Sequence, residues 1–271
     1  MQPTNARTRE TALTIGTLAV LAIALWGPAM VQPPGAHDLA GQRALGGVPF
    51  ALDVGSSLAL AAAALAGWRA AASLPPRTIS NMQRAMARLL FSGLLLTAAG
   101  CAWYHAHPDA AGLALARTML GVAWAGLLGL AVATHVSERA AAAIGLLALL
   151  LGPLAVRTWL TTGNLLPWSA LQAGGIMLVS WLGLLRQRHG APHVRWPLVV
   201  FALLAAKLLD LSDREVFGLS RGLVSGHALT HLAMALAAAP VVAALGGKRP
   251  RGGPGWRPGP SRIGSQPFGD A

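Results

Sequence analysis

The sequence predicts an all-α integral membrane protein with about eight transmembrane helices. Two observations carry this prediction. Of the 271 residues, 54% are hydrophobic and only 11% are charged, whereas a soluble domain usually has about 25% charged residues. Apolar stretches of about 20 residues also recur along the chain, and each is long enough as a helix to cross a hydrocarbon core of about 30 Å. The composition therefore argues against a soluble enzyme.

The predicted helices follow one another along the chain. The first could be a signal peptide by its position, but it is long, lacks a clean A-x-A site and is followed by Pro33 and Pro34, so we predict a retained helix. The second ends before Pro75 and Pro76, because proline cannot continue a helix. The eight predicted segments are 11–31, 49–74, 86–104, 111–136, 140–160, 166–185, 194–211 and 224–245.

This assignment divides the chain into three parts. Residues 1–10 form a predicted cytoplasmic N-terminus, and residues 11–246 form a polytopic helical membrane domain. Residues 247–271 are rich in Gly, Pro and Arg and have no apolar face to bury, which predicts a disordered tail. Cys101 is the sole cysteine, so an internal disulfide is excluded.

The net charge of +12 indicates basic cytoplasmic loops rather than a nucleic-acid partner. With eight spans, one side of the membrane holds both termini and the loops 2–3, 4–5 and 6–7. About fifteen basic residues fall there: Arg7, Arg9, Arg69, Arg77, Arg84, Arg88, Arg139, Arg186, Arg188, Arg195, Lys248, Arg249, Arg251, Arg257 and Arg262. The other side has four: Arg43, Arg157, Arg214 and Arg221. This bias predicts that both termini lie in the cytoplasm.

Three histidines fall at a similar depth in this topology. The third segment runs outward and ends in GCAWYHAHPD, so His105 lies near the outer face. The last segment runs inward and begins VSGHALTHL, which places His227 and His231 in its first two turns. Their i, i+4 spacing puts both side chains on one helical face, where two imidazoles can bind one metal ion. With His105 as third ligand, the arrangement is that of a catalytic zinc site with one open position for water.

Other interpretations of these histidines stay open at this point. The pair on the last segment could be interfacial and exposed to water or headgroups. A haem held by two histidines is a further alternative, although haem does not need the i, i+4 pair. His107 is more simply a loop residue than a fourth ligand.

Three blocks of the chain resemble one family. They are AHDLAGQRALGGVPFALDVGSSLAL at 36–60, GCAWYHAHPD at 100–109 and AKLLDLSDREVFGLSRGLVSGHALTHL at 206–232. These blocks resemble patterns of the alkaline ceramidase-like membrane hydrolases, a family in the superfamily that includes the adiponectin-receptor-type proteins. The family patterns are Y-H-x-F-A-D-x-R…G-I-P-N…D-V-x-S-N-L, then G-S-A-Y-Y-H-x-x-P-D-N, then A-K-x-x-E-x-x-D-x-x-I-F…G-x-V-S-G-H-T-L-K-H-L.

The resemblance spans about residues 36 to 245. It implies a seven-helix core with one extra N-terminal helix here, and Zn²⁺ held by His105, His227 and His231. It also implies hydrolysis of an amide bond in a membrane lipid such as a ceramide, in the inner membrane of a bacterium. The metal site would then lie near the outer face.

The chain departs from the family pattern at two positions. The family has a serine four residues before the first zinc histidine, where this chain has Cys101, and an aspartate in a W-D-R motif, where this chain has Ala116 before Arg117. In the family the aspartate is thought to orient or deprotonate the zinc water and the serine to assist at the oxyanion. Loss of a general base typically removes about 10² to 10⁴ in rate, so hydrolysis is expected to be impaired.

Cys101 and Asp109 are the candidate catalytic residues of this chain. Asp109 could orient a ligand histidine or could be a solvated turn residue after Pro108. Cys101 lies one turn before His105, where its thiolate could bind zinc and close the site, or its thiol could pack beside the metal.

Further polar residues in the apolar segments also need partners. Lys207, Asp210 and Asp213 follow one another at spacings of three on the seventh segment. Lys207 and Asp210 can pair on one helical face, as a structural contact or as part of the site, and Ser225 can cap the last segment. Arg117 could pair with Asp210 or Asp53, and Asp53 could support the site or bind a headgroup.

Two classes of function follow. The first is a zinc-dependent intramembrane amidohydrolase acting on an N-acyl lipid that enters from the membrane. The second is a degenerate relative that binds zinc or lipid without turnover, or acts as a receptor-like module. A structural membrane protein without metal is a third and weaker interpretation.

Overall fold

The computed structural model describes residues 6–32 and 39–247, and within these ranges it contains nine α-helices and no β-sheet. The fold class is therefore confirmed, because each predicted segment is found as a helix with ends shifted by a few residues. The helices are α1 (Ala6–Trp26), α2 (Ala51–Ser73), α3 (Asn81–Ala106), α4 (Ala110–His135), α5 (Glu138–Thr162), α6 (Leu166–Gly183), α7 (Trp196–Leu211), α8 (Asp213–Leu219) and α9 (Gly226–Gly246).

Six of these helices are long and apolar enough to cross a membrane, namely α1, α2, α3, α4, α5 and α9. The other two predicted spans are shorter. Helix α6 has 18 residues and α7 has 16, which at a rise of about 1.5 Å per residue give about 27 and 24 Å, less than a hydrocarbon core of about 30 Å. Both nevertheless pack inside the bundle, α6 against α1, α4 and α5, and α7 against α6 and α9. The count of eight spans remains a prediction.

The ends of the chain differ in part from the sequence prediction. Helix α1 begins at Ala6, so it includes residues that we predicted as a cytoplasmic N-terminus. The predicted disordered tail lies outside the described residues, apart from Gly247, which follows the last turn of α9. Helix α1 contacts α6, where Val20 lies against Gly174, and most of its surface is exposed. Helix α1 therefore lies at the periphery of the bundle.

Helix α8 was not predicted. Ser212 leaves the helical conformation with φ −104° and ψ 30°, and a new turn starts at once because Val216 N–H donates to the Ser212 carbonyl. Seven residues are too few for a helical period to stand out in the sequence. This short helix places Asp213 beside the start of α9.

Glycines bring α3 and α4 into backbone contact. A Cβ atom added to Gly93 would lie 2.2 Å from the Ala123 nitrogen, and one added to Gly126 would lie 2.1 Å from the Leu90 nitrogen. Small residues allow this close approach in membrane helices. The contact continues along α3 to Gly100, which lies against Ala116 of α4, about one and a half turns before His105.

The functional end of the bundle is formed by the end of α3, the start of α2, the end of α7 and the start of α9. Helix α2 packs against both α3 and α9, and α7 packs against α9. The antiparallel arrangement therefore brings His105 on α3 to the same depth as His227 and His231 on α9, as the topology predicted.

Candidate metal centre

The three predicted histidines meet at one point. One ring nitrogen of each lies within 4.8 Å of those of the other two, and the ring centroids are 5.0 to 5.4 Å apart. His105 is 0% exposed and His231 is 2% exposed, while the His227 side chain is 18% exposed. This burial does not fit a group of histidines that faces bulk water, and the short ring separations leave no room for a porphyrin between them. Three imidazoles converging in a buried site can hold a metal ion.

His231 is oriented by a serine of α2. The Ser56 hydroxyl donates its proton to the Asp53 carbonyl oxygen at 2.9 Å. The same hydroxyl lies 2.8 Å from His231 Nδ1. When its single proton is directed to the Asp53 carbonyl, the hydroxyl accepts from Nδ1–H, and Nε2 keeps its lone pair for a metal ion.

His227 is oriented by a carboxylate of α7. Its Nδ1 lies 3.1 Å from Asp210 Oδ1, and since a carboxylate only accepts, the ring hydrogen is on Nδ1 and Nε2 is free to bind a metal. A carboxylate behind a histidine is the usual support of a metal ligand. The second oxygen of Asp210 pairs with Lys207 Nζ at 3.4 Å, so the predicted pair of Lys207 and Asp210 is present.

His105 has no such support. Neither of its ring nitrogens has a hydrogen-bond partner among the described residues, although both are buried. Leaving a buried polar group unpaired costs about 1 to 3 kcal/mol, and a metal ion between the histidines would engage one of these nitrogens. The residues present thus fit a metal ion, and a set of three imidazoles suits Zn, Cu, Fe or Ni.

Cys101 is a free cysteine that lines the cavity next to His105. Among the described residues, the group whose ligand atoms converge consists of the three histidines without this thiol. The geometry therefore favours a site with three protein ligands and an open position over a closed site with four. A role of Cys101 in catalysis remains a prediction.

Asp109 lies at the turn between α3 and α4, where the sequence placed it. Its Oδ1 accepts a hydrogen bond from Gly112 N–H at 2.6 Å, and the residue is exposed and caps α4. This contact gives Asp109 a structural function as a helix cap, and its catalytic role remains a prediction. His107 ends α3 with its ring 4.7 Å from that of Trp103, outside the convergent group, as predicted for a loop residue.

Asp53 and Ser225 join the starts of α2 and α9. Ser225 Oγ donates to Asp53 Oδ1 at 2.9 Å and accepts from Ala228 N–H at 2.9 Å, so the predicted capping of the last helix is confirmed. Asp53 is 0% exposed. It is not among the described residues that line the cavity, and it reaches the site through its carbonyl oxygen, which lies 2.9 Å from the Ser56 hydroxyl.

One supporting residue was missed in the sequence. Ser56 follows Asp53 by three residues on the same face of α2, and this i, i+3 spacing could have indicated it. Asp213, which the sequence placed at the end of the seventh segment, lies instead in α8, where it accepts from the backbone N–H groups of His227 at 2.7 Å and Ala40 at 2.8 Å. Arg117 contacts Gln32 and Trp159 and forms a hydrogen bond with neither of the two aspartates suggested as its partners.

A cavity of about 1010 Å³ runs from the histidines into the bundle. Along α3 it extends from His105 to Leu90, which is about 22 Å at a rise of about 1.5 Å per residue. Its deep part is apolar and is lined by Leu90, Leu94, Leu127, Ile176 and Met234. It reaches the bundle surface at Ala173 on α6 and Leu211 on α7, which are both exposed.

Comparison with models of known protein families and with curated proteins finds no match to this chain.

Proposed function

We propose that the protein is a zinc-dependent hydrolase that cleaves the amide bond of an N-acyl lipid within the membrane. The observation that carries the proposal is the position of three convergent histidines at the polar end of a long apolar cavity. The resemblance to the alkaline ceramidase-like hydrolases points to the same activity. On this proposal the site lies near the outer face of a bacterial inner membrane, with both termini in the cytoplasm.

The residues of the chain have distinct roles in this reaction. His105, His227 and His231 would hold the ion, while Asp210 and Ser56 keep two of the rings in the orientation that presents Nε2. When bound, zinc would polarise the substrate carbonyl and lower the pKa of a water molecule to about 7. Tyr104 and Cys101 line the cavity beside His105 and lie where they can contact the reacting amide.

The cavity supports a lipid substrate. Its apolar part is long enough for an extended acyl chain, and its volume of about 1010 Å³ is at the upper end of the usual range for ligand pockets, about 300 to 1,000 Å³. Ala173 and Leu211, which line the cavity and are exposed, belong to helices that this proposal places in the membrane. An acyl chain could enter there without passing through water.

A second candidate is a protein of the same fold that binds zinc and lipid without turnover. It is favoured by Ala116, which lines the cavity and packs against Gly100 of α3 where the family pattern has its aspartate. A methyl group cannot accept a proton from water. An active enzyme would therefore have to rely on the metal ion without a general base at this position.

An amidase assay separates the two candidates. The zinc-loaded protein in phosphatidylcholine nanodiscs is incubated with N-palmitoyl lipids of different headgroups, and released palmitate is measured. Release that is abolished by EDTA, restored by zinc and absent in His231→Ala supports the hydrolase. If folded protein with bound zinc releases no palmitate from any of these lipids, the hydrolase proposal is overturned and the binding protein is favoured.

A further inference from the structure

Arg117 is a cation on an apolar helix inside the bundle. It lies in α4, where its Nη1 donates to Gln32 Oε1 at 3.2 Å and its guanidinium carbon lies 4.1 Å from the centre of the Trp159 ring. Among residues 6–32 and 39–247, no carboxylate lies within ion-pair distance of it. Charged groups at membrane depth are costly, and they usually mark a site for a substrate or an ion.

No acidic group near the histidines forms an ion pair with Arg117. Asp210 contacts Lys207 and His227, and both oxygens of Asp213 accept backbone N–H groups. Asp210 attracts Arg117 through space, but among the described residues no carboxylate oxygen lies within ion-pair distance of the guanidinium. The two direct contacts of Arg117, an amide oxygen and an aromatic face, hold the side chain in place and use one of its five N–H donors.

Arg117 also lines the same cavity as the histidines. Its neighbour Ala116 packs against Gly100, and Gly100 directly precedes Cys101 on α3. The backbone of Arg117 therefore lies beside the part of α3 that is about one and a half helical turns before His105, near the polar end of the cavity. A ligand whose acyl chain fills the apolar part would bring its polar end to both the histidines and Arg117.

We propose that Arg117 binds an anionic headgroup, so that the preferred lipid is an acyl amide carrying a carboxylate, as in an N-acyl amino acid. The inference rests on the proposed hydrolase function for the amide bond, but the binding of the headgroup is a property of Arg117 itself. A guanidinium forms paired hydrogen bonds with a carboxylate, and a hydrogen bond to a charged group contributes enough free energy for a preference of about tenfold.

Binding of two matched lipids tests this inference. Radiolabelled N-palmitoylglycine and N-palmitoylethanolamine differ in headgroup charge and share the acyl chain. Their affinities are measured with the full-length protein in phosphatidylcholine nanodiscs, as purified and after EDTA treatment, with empty nanodiscs subtracted and bound lipid checked to be intact. We expect wild type to prefer N-palmitoylglycine about tenfold, Arg117→Lys to retain part of this preference, and Arg117→Gln to lose it.

Arg157→Gln is the matched control, because Arg157 is exposed on α5 at the same end of the bundle and does not line the cavity. It should keep the wild-type preference. Equal affinities of wild type for the two lipids would overturn the inference. A preference for N-palmitoylglycine that survives in folded Arg117→Gln would also overturn it, whether or not EDTA removes that preference. Free palmitate serves as a further ligand. If its binding depends on Arg117 while N-palmitoylglycine is not preferred over N-palmitoylethanolamine, the inference is also overturned.

Because binding is measured with and without metal, the result does not depend on turnover. If the protein releases no palmitate, the hydrolase proposal fails, but the preference for the charged headgroup should still be measured, both before and after EDTA treatment. If the headgroup inference fails alone, the protein should release palmitate equally from the charged and the neutral lipid.

Discussion

Ser56 and His231 are joined by a hydrogen bond of 2.8 Å between Oγ and Nδ1, although 175 positions separate them in the chain. With the Ser56 proton directed to the Asp53 carbonyl, this contact favours the tautomer of His231 that can bind a metal ion through Nε2. Removing such a supporting partner typically lowers metal affinity about 10- to 100-fold.

We therefore expect Ser56→Ala to weaken metal binding by about tenfold or more, because the His231 ring loses the acceptor that orients it. Ser57→Ala is the matched control, since the Ser57 hydroxyl donates to the same Asp53 carbonyl at 3.0 Å without a described contact to a histidine. Competition with a zinc chelator measures both affinities. Equal affinities in the two variants would show that the hydrogen bond does not support the metal site.

Asp210 should matter more than Ser56, because it supports His227 with a full negative charge. Asp210→Asn keeps an oxygen that can accept from Nδ1 but loses the charge, whereas Asp210→Ala loses both. We expect metal affinity to fall in the order wild type, Asp210→Asn, Asp210→Ala, with the alanine variant near the 100-fold end of the usual range. The same chelator competition measures the three affinities. Unchanged metal affinity in Asp210→Ala would show that Asp210 does not support the metal site.

Restoring the two family residues should raise the amidase activity. Ala116 lines the cavity, so the carboxylate of Ala116→Asp would enter it and could act as a general base, an effect typically worth about 10² to 10⁴ in rate. Cys101→Ser would add a hydroxyl one turn from His105. We expect the double variant to release palmitate faster than wild type at equal zinc content. If the double variant binds zinc but releases palmitate no faster than wild type, the result counts against the hydrolase proposal.

The contact between α3 and α4 should tolerate no added methyl group. In Gly126→Ala the new Cβ would meet the Leu90 backbone at 2.1 Å, so the helices must separate, and overpacking of this kind typically costs about 1 to 3 kcal/mol. Gly55→Ala on α2 meets nothing within 4 Å and should leave stability equal or slightly higher. Thermal unfolding in detergent compares the two, and equal midpoints would contradict the close packing of α3 and α4.

Local patterns in the sequence were sufficient to predict most of the fold. Apolar runs predicted α1 to α7 and α9, because length and composition decide whether a helix can enter a membrane. Helix α8 was missed because seven residues have no clear periodicity. The antiparallel order of the helices also predicted that His105, His227 and His231 lie at one depth, which the structure confirms.

The supporting contacts of the site could not be predicted in the same way. Ser56 meets His231, and Asp53 meets Ser225, because α2 packs against α9, and neighbour relations between distant helices are not visible in a single sequence. For the same reason the partners of Arg117 were left open and proved to be an amide and an aromatic ring.

Metal analysis of the purified protein will show whether the three histidines bind one zinc ion. Detergent-purified wild type is compared with His105→Ala, His227→Ala and His231→Ala, each checked to be folded and monodisperse. We expect about one zinc ion per chain in wild type and loss of zinc in all three variants. If folded wild type holds no zinc after exposure to zinc, or if the variants keep it, the three histidines do not form a zinc site.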